Sequence, residues 1–302
     1  MASTLSTLRE VQVERTIAVP GMAEPPPVSA SLEGIRRRNA ALDALFYDVS
    51  VVTLDEARTI SPWLAREGSI LHVPPTGKGD LTLCATPDDL AGVGAVSSLA
   101  VAGVGSSALG SAAFARNIAD ATGEPVAVVV SGYGLSDLVS EAMGGWFLFG
   151  AANRTRMVER LVSEMKAPTA SDLGATELRR SSKDTATVIA LLSDPRFDFT
   201  LLTGHSKGNL VVAEALYALI EVGEGKLPIP ADTRIVTVSA AIEMPRGFSR
   251  ITDVIGAWDW FGGLNSSNVT IDVLVPHAWH HTNREVPFHL PVTETFARLL
   301  AG

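Results

Sequence analysis

From about residue 70 onward, short apolar runs alternate with glycine-rich turns and with stretches whose apolar residues recur at helical spacing. Ile70–Val73 and Leu81–Ala85 read as short strands around the turn Pro74-Pro75-Thr76-Gly77-Lys78-Gly79, an opening pair for a sheet. Strand-then-helix units follow. Ser97–Ala102 leads through Gly103-Val104-Gly105-Ser106-Ser107 into a helix ending near Thr122, and Pro125–Ser131 is the next strand. Phe197–Thr203, Arg234–Ser239, Ile251–Ala257 and Val269–Val275 extend the series, and Pro291–Leu300 reads as a closing helix. This alternation predicts an α/β fold, a mostly parallel central sheet flanked by helices.

Two stretches depart from it. Residues 1–31 carry Pro20, Pro25, Pro26 and Pro27 among charges and read as an N-terminal arm, with one domain over 32–302 that opens on a helical pattern from Leu32 to Phe46. Residues 143–175 begin with Gly144-Gly145-Trp146-Phe147-Leu148-Phe149-Gly150 and continue into a helix-like run. An aromatic insertion beside an active face is expected to form a small lid, with Trp146, Phe147 and Phe149 against an apolar substrate; a core-packing excursion is the alternative.

Composition narrows the classes. A chain of 302 residues that is 46% hydrophobic can bury a large core. A net charge of −9 without a basic block argues against nucleic acid as a partner. Cys84 is the only cysteine, so no intramolecular disulfide forms, and the charged N-terminus lacks a signal-peptide core; a cytoplasmic location is expected. Leu90–Ala115 contains no charged residue, yet its glycines and serines suit a buried strand and turn better than a bilayer span, so no transmembrane segment is expected.

The chemistry concentrates at Gly204-His205-Ser206-Lys207-Gly208, which follows an apolar run and precedes a helix-like stretch to Val222. G-x-S-x-G between strand and helix is the nucleophile elbow of serine hydrolases, where a tight turn strains the serine and small flanking residues admit strand and helix. A serine hydroxyl needs a histidine to take its proton and a carboxylate to orient that histidine. Both occur later in the chain: Asp259 just beyond Ile251–Ala257, and His277, His280, His281 and His289 after Val269–Val275. Acid and base thus fall beyond the carboxyl ends of successive strands, where open α/β sheets bind ligands.

Over roughly Ile70–Leu300 the chain resembles an α/β-hydrolase, and its elbow is similar to that of bacterial hydrolases related to class 3 lipases. The resemblance implies a triad of Ser206, Asp259 and His281. Asp253 is the rival acid, inside the strand, and His280 is the rival base. One departure is Asn209, where such lipases carry glycine or another small residue. The oxyanion hole is expected from the amide of Lys207 and, in the loop after an earlier strand, of Val104.

The expected reaction is hydrolysis of a carboxylic ester, its acyl group apolar, lipid-like or polyester, through an acyl-enzyme with no cofactor and no metal. Acyl transfer on the same triad and a non-catalytic scaffold or binding protein remain alternatives. Gly103-x-Gly105-x-x-Ala108 approximates a dinucleotide fingerprint, but the next strand lacks the acid that would hold a ribose. The late histidines invite a metal reading, without a recognisable ligand spacing.

Overall fold

The computed structural model describes residues 42–60, 67–103, 106–131, 182–266 and 270–301. The expected arm (1–31), Val104, and the 143–175 insertion with Trp146, Phe147 and Phe149 lie outside the described residues.

Among the described residues, eight strands form one sheet: β1 (Ile70–Val73), β2 (Thr82–Cys84), β3 (Ser98–Val101), β4 (Val126–Val129), β5 (Leu201–His205), β6 (Arg234–Val238), β7 (Arg250–Gly256) and β8 (Val273–Val275). Their order is β2-β1-β4-β3-β5-β6-β7-β8. From β4 to β8 every pairing is parallel, while β1 runs antiparallel to both β2 and β4. The α-helices placed whole among the described residues are α1 (Leu54–Ile60), α2 (Pro87–Val93), α3 (Ala108–Thr122), α4 (Lys183–Ser193), α5 (Lys207–Val222), α6 (Trp260–Asn265) and α7 (Val292–Ala301).

Both faces of the sheet are covered, which is why β3, β4 and β5 are buried along their whole length instead of alternating between buried and exposed residues. Successive side chains still point to opposite faces. Leu99 and Val101 join Val188, Leu191, Val211 and Leu216 from α4 and α5. Ala100 joins Leu109, Phe114 and Ile118 of α3 and Phe296 of α7 on the other face. Helix α3 is buried from Ala108 through Ala119. Such a helix has little room for charge, which explains the uncharged run in the sequence. That run divides among the end of α2, β3 and the first turns of α3, and no helix among the described residues is long and apolar enough to cross a membrane.

Local signals set the helix ends. Ser107 caps α3 by accepting from the Leu109 amide, and Gly123 ends it in a left-handed conformation at φ 76°. Thr86 and Asp89 form a capping box around Pro87 at the start of α2. The strand expected over 197–203 lies at Leu201–His205, four residues later at its start.

The topology chooses the site. After β3 the chain crosses to β4 on one side, and it later returns to place β5 on the other side of β3. At such a switch point the loops leaving the two strands diverge and open a crevice beyond their carboxyl ends. Gly103 follows β3 and Ser206 follows β5, at those carboxyl ends.

Candidate active site

Ser206 sits between β5 and α5 with φ 53° and ψ −119°, a strained conformation for a residue with a side chain. Its surroundings hold it there. The Ser206 amide donates to Val238 O at 2.8 Å. A Cβ at Gly204 would lie 2.4 Å from the Asn209 nitrogen, and one at Gly208 2.1 Å from Val101 O. Both positions therefore require glycine for the turn to close. Asn209 is fully buried and donates from Nδ2 to Val238 O (3.0 Å) and Ala240 O (2.8 Å). The departure from the lipase pattern is thus a staple between the start of α5 and the end of β6.

Asp259 follows β7 and caps α6, accepting from the Gly262 amide at 2.6 Å. Gly262 approaches this closely because it has no Cβ, which would meet Asp259 Oδ2 at 2.5 Å. The imidazole on this carboxylate is that of His280: Nδ1 lies 2.9 Å from Oδ2 and 3.1 Å from Oδ1. A carboxylate only accepts here, so Nδ1 carries the proton and Nε2 faces the opposite way. Both side chains are buried.

This corrects the expected partner. His281 does not reach Asp259; its Nε2 donates to Pro287 O at 3.1 Å, and its ring lies edge-on to Trp279. The reason is backbone pairing. Trp279 N donates to Phe288 O and Leu290 N to His281 O, which pins the loop so that neighbouring side chains diverge. Burial lowers the His281 pKa below that of an ordinary imidazole. The rival acid Asp253 stays within β7, accepting from the Thr237 hydroxyl at 2.5 Å.

Behind the pair lies a buried layer that the motifs did not announce. The Gly103 amide donates to Tyr47 Oη at 2.7 Å, Tyr47 Oη lies 2.9 Å from His205 Nδ1, and His205 Nε2 lies 2.9 Å from His280 O. Ser239, with φ 58°, also donates to His280 O, at 3.2 Å. Burial first, and then the neighbouring His280, hold the His205 pKa down to about 3. A Cβ at Gly103 would meet Tyr47 Oη at 2.9 Å, so this glycine is explained by close packing within the protein. One turn away, Asp43 Oδ2 accepts from the Ser107 amide (2.8 Å), the Ser107 hydroxyl (2.6 Å) and the Gly110 amide (3.0 Å). It anchors the entry to α3. The only sequence signal for this layer is that Asp43 falls on the helix-spaced stretch Leu32–Phe46 and Tyr47 directly follows it.

The rim is aromatic. Trp258, Trp260 and Phe288 are 47%, 67% and 56% exposed beside Asp259, large values for side chains of this kind. Trp258 packs on Phe288 and on His277, and Phe261 lies edge-on to His280 at 4.9 Å. Among the described residues, no three His, Cys, Asp or Glu side chains gather as a metal-binding group. No protein-family model and no curated protein matches the sequence.

Proposed function

We propose that the chain is a serine hydrolase of the α/β-hydrolase type, related in its elbow to class 3 lipases, and that it cleaves a carboxylic ester. The observation that carries this reading is the buried Asp259–His280 pair, to which the elbow is tied through His205, the neighbour of a strained serine at a strand-to-helix turn. In the proposed reaction Ser206 Oγ attacks the acyl carbon and passes its proton to His280 Nε2. Asp259 holds the other ring nitrogen and stabilises the imidazolium that forms. Negative charge on the carbonyl oxygen falls to the Lys207 amide, the first of α5, where the helix dipole also favours an anion. The second donor is assigned to the loop after β3, with Val104 as the expected residue. The Gly103 amide is committed to Tyr47. The alcohol then leaves with the proton from His280. Water attacks the acyl-enzyme with His280 as base, releasing the acid and restoring Ser206.

Exposed Trp258, Trp260 and Phe288 favour an apolar acyl chain or a polyester surface over a small polar ester. We place the enzyme in the cytoplasm, where a chain whose only cysteine is Cys84 needs no disulfide.

The test is labelling with a fluorophosphonate probe and turnover of a p-nitrophenyl ester panel. Wild type labels and Ser206→Ala does not; His280→Ala loses at least about 10³-fold in kcat, and His281→Ala stays within about tenfold. A folded wild type that neither labels nor turns over any ester overturns the hydrolase reading. Loss in His281→Ala with activity kept in His280→Ala overturns the choice of base.

A further inference from the structure

The direction of every hydrogen bond between Gly103 and His280 is fixed by the two ends. At one end a backbone amide can only donate, so Tyr47 Oη accepts from Gly103 N at 2.7 Å. The single phenolic hydrogen is then left for His205 Nδ1, 2.9 Å away. At the other end the His280 carbonyl can only accept, so His205 carries its proton on Nε2. Both ends demand the same tautomer. The chain reads Gly103 N–H to Tyr47 Oη–H to His205 Nε2–H to His280 O, with the Ser106 hydroxyl as a further partner of Tyr47 Oη.

We infer that Tyr47 and His205 are positioning residues, a one-directional hydrogen-bond relay that fixes the His280 backbone relative to Gly103, at the start of the loop leaving β3. The inference rests on the proposed hydrolase reading, in which that loop supplies an oxyanion donor and His280 is the base. Its two ends are then the two parts of the machinery that must keep a fixed separation while charge moves between them.

Three further observations fit this role better than plain core filling. Tyr47 and His205 are 3% and 2% exposed, so bulk water offers no substitute partner for a broken link. Tyr47 and Phe114 both contact the His205 ring, with centroids at 5.3 and 5.8 Å, which leaves the imidazole little freedom to flip. The His205 and His280 rings lie only 5.1 Å apart, and burial keeps His205 neutral. When His280 becomes an imidazolium, its nearest imidazole neighbour in the relay therefore adds no opposing charge.

His205 occupies the variable position of the G-x-S-x-G pentapeptide. It is thus covalently next to the nucleophile and hydrogen-bonded to the backbone of the base. One rigid side chain couples the elbow, the oxyanion loop and the histidine loop.

Two measurements on the full chain test the relay. The first is the ¹⁵N spectrum of the wild-type histidines near neutral pH. His205, assigned by its absence in His205→Gln, should show an unprotonated Nδ1 and a protonated Nε2, and Tyr47→Phe should shift it toward a mixture of tautomers. A wild-type His205 protonated on Nδ1 overturns the relay whether or not the protein is an enzyme.

The second is ester turnover. Tyr47→Phe, which removes one oxygen atom, should lower kcat about tenfold, and His205→Phe about 100-fold, each with KM within about twofold of wild type. His205→Gln, whose amide nitrogen reaches the place of Nε2, should recover most of the loss. Wild-type kcat in folded Tyr47→Phe and His205→Phe overturns the proposal, as does equal loss in His205→Phe and His205→Gln. A wild type without fluorophosphonate labelling defeats the hydrolase reading instead, and the ¹⁵N result then stands by itself.

Discussion

Gly256→Ala is the sharpest mechanical test of how the base is held. Gly256 ends β7, and a methyl group there would lie 2.4 Å from Ala278 O and 2.9 Å from Trp279 O. Both are backbone atoms, so no rotamer change relieves the clash. Ordinary contact begins at 3.4 Å, so the 278–279 chain must retreat by about 1 Å. His280 is the next residue. Its bond to Asp259 spans 2.9 Å, and a stretch of that size takes it past hydrogen-bonding range. If His280 is the base, as proposed, a displacement of about 1 Å costs about 10² in rate, so kcat should fall about 100-fold. The same movement weakens the 2.9 Å bond from Trp258 N to Ala278 O, which costs about 1–2 kcal/mol of stability. The control is Gly263→Ala in α6, where a Cβ meets nothing within 4 Å and helix propensity gives neutrality or a gain of about 0.5–1 kcal/mol. The assay is p-nitrophenyl ester turnover with thermal denaturation of the same preparations. Wild-type kcat in Gly256→Ala, or an equal loss in Gly263→Ala, would refute the reasoning.

Two further substitutions probe the scaffold. Asn209→Ala removes two buried hydrogen bonds to Val238 O and Ala240 O, and should cost about 2–3 kcal/mol in urea unfolding; a change below about 0.5 kcal/mol would show that the staple contributes nothing. Burial lifts the Asp43 carboxyl from 3.8 to about 7 against the opposing pull of the Ser107 and Gly110 hydrogen bonds. Between those values the native chain holds a proton that the unfolded chain has lost, so stability falls as pH rises, on the order of 4 kcal/mol across the window. Asp43→Asn keeps an acceptor at the Oδ2 position, so it should be flatter than wild type by that amount in urea unfolding from pH 4 to 7. Identical pH slopes in the two chains would rule the effect out.

The strained strand-to-helix turn at Ser206 and the position of Asp259 just past β7 were legible because their signals are local. A strand, a G-x-S-x-G turn and a helix are contiguous, and an aspartate just past a strand end can be placed by counting. The same holds for the β1–β2 pair, where Ile70–Val73 matches the apolar run residue for residue. Which histidine meets Asp259 was not legible to the residue. His280 and His281 are adjacent, and which one faces Asp259 depends on how Trp279 and His281 pair with Phe288 and Leu290. The relay was hidden by distance, since Tyr47 and His205 are 158 positions apart. The start of α2 was present in the sequence as Thr86-Pro87-Asp88-Asp89, a capping signal that apolar periodicity alone passes over. The strand before the elbow begins later than its apolar run because Phe197 and Phe199 stack on each other ahead of the sheet.

The strand order also decides when the site comes into existence. Ser98 pairs with Leu201 across the switch point, so the crevice needs a loop closure of about a hundred residues before its first wall is complete. Asp259 and His280 lie still further along the chain, beyond β7 and near the end of β8. During synthesis the serine turn therefore emerges from the ribosome well before its acid and base. Under the hydrolase proposal a nascent chain long enough to carry Ser206 would lack the groups that activate it, and competence would arrive only with the last edge of the sheet.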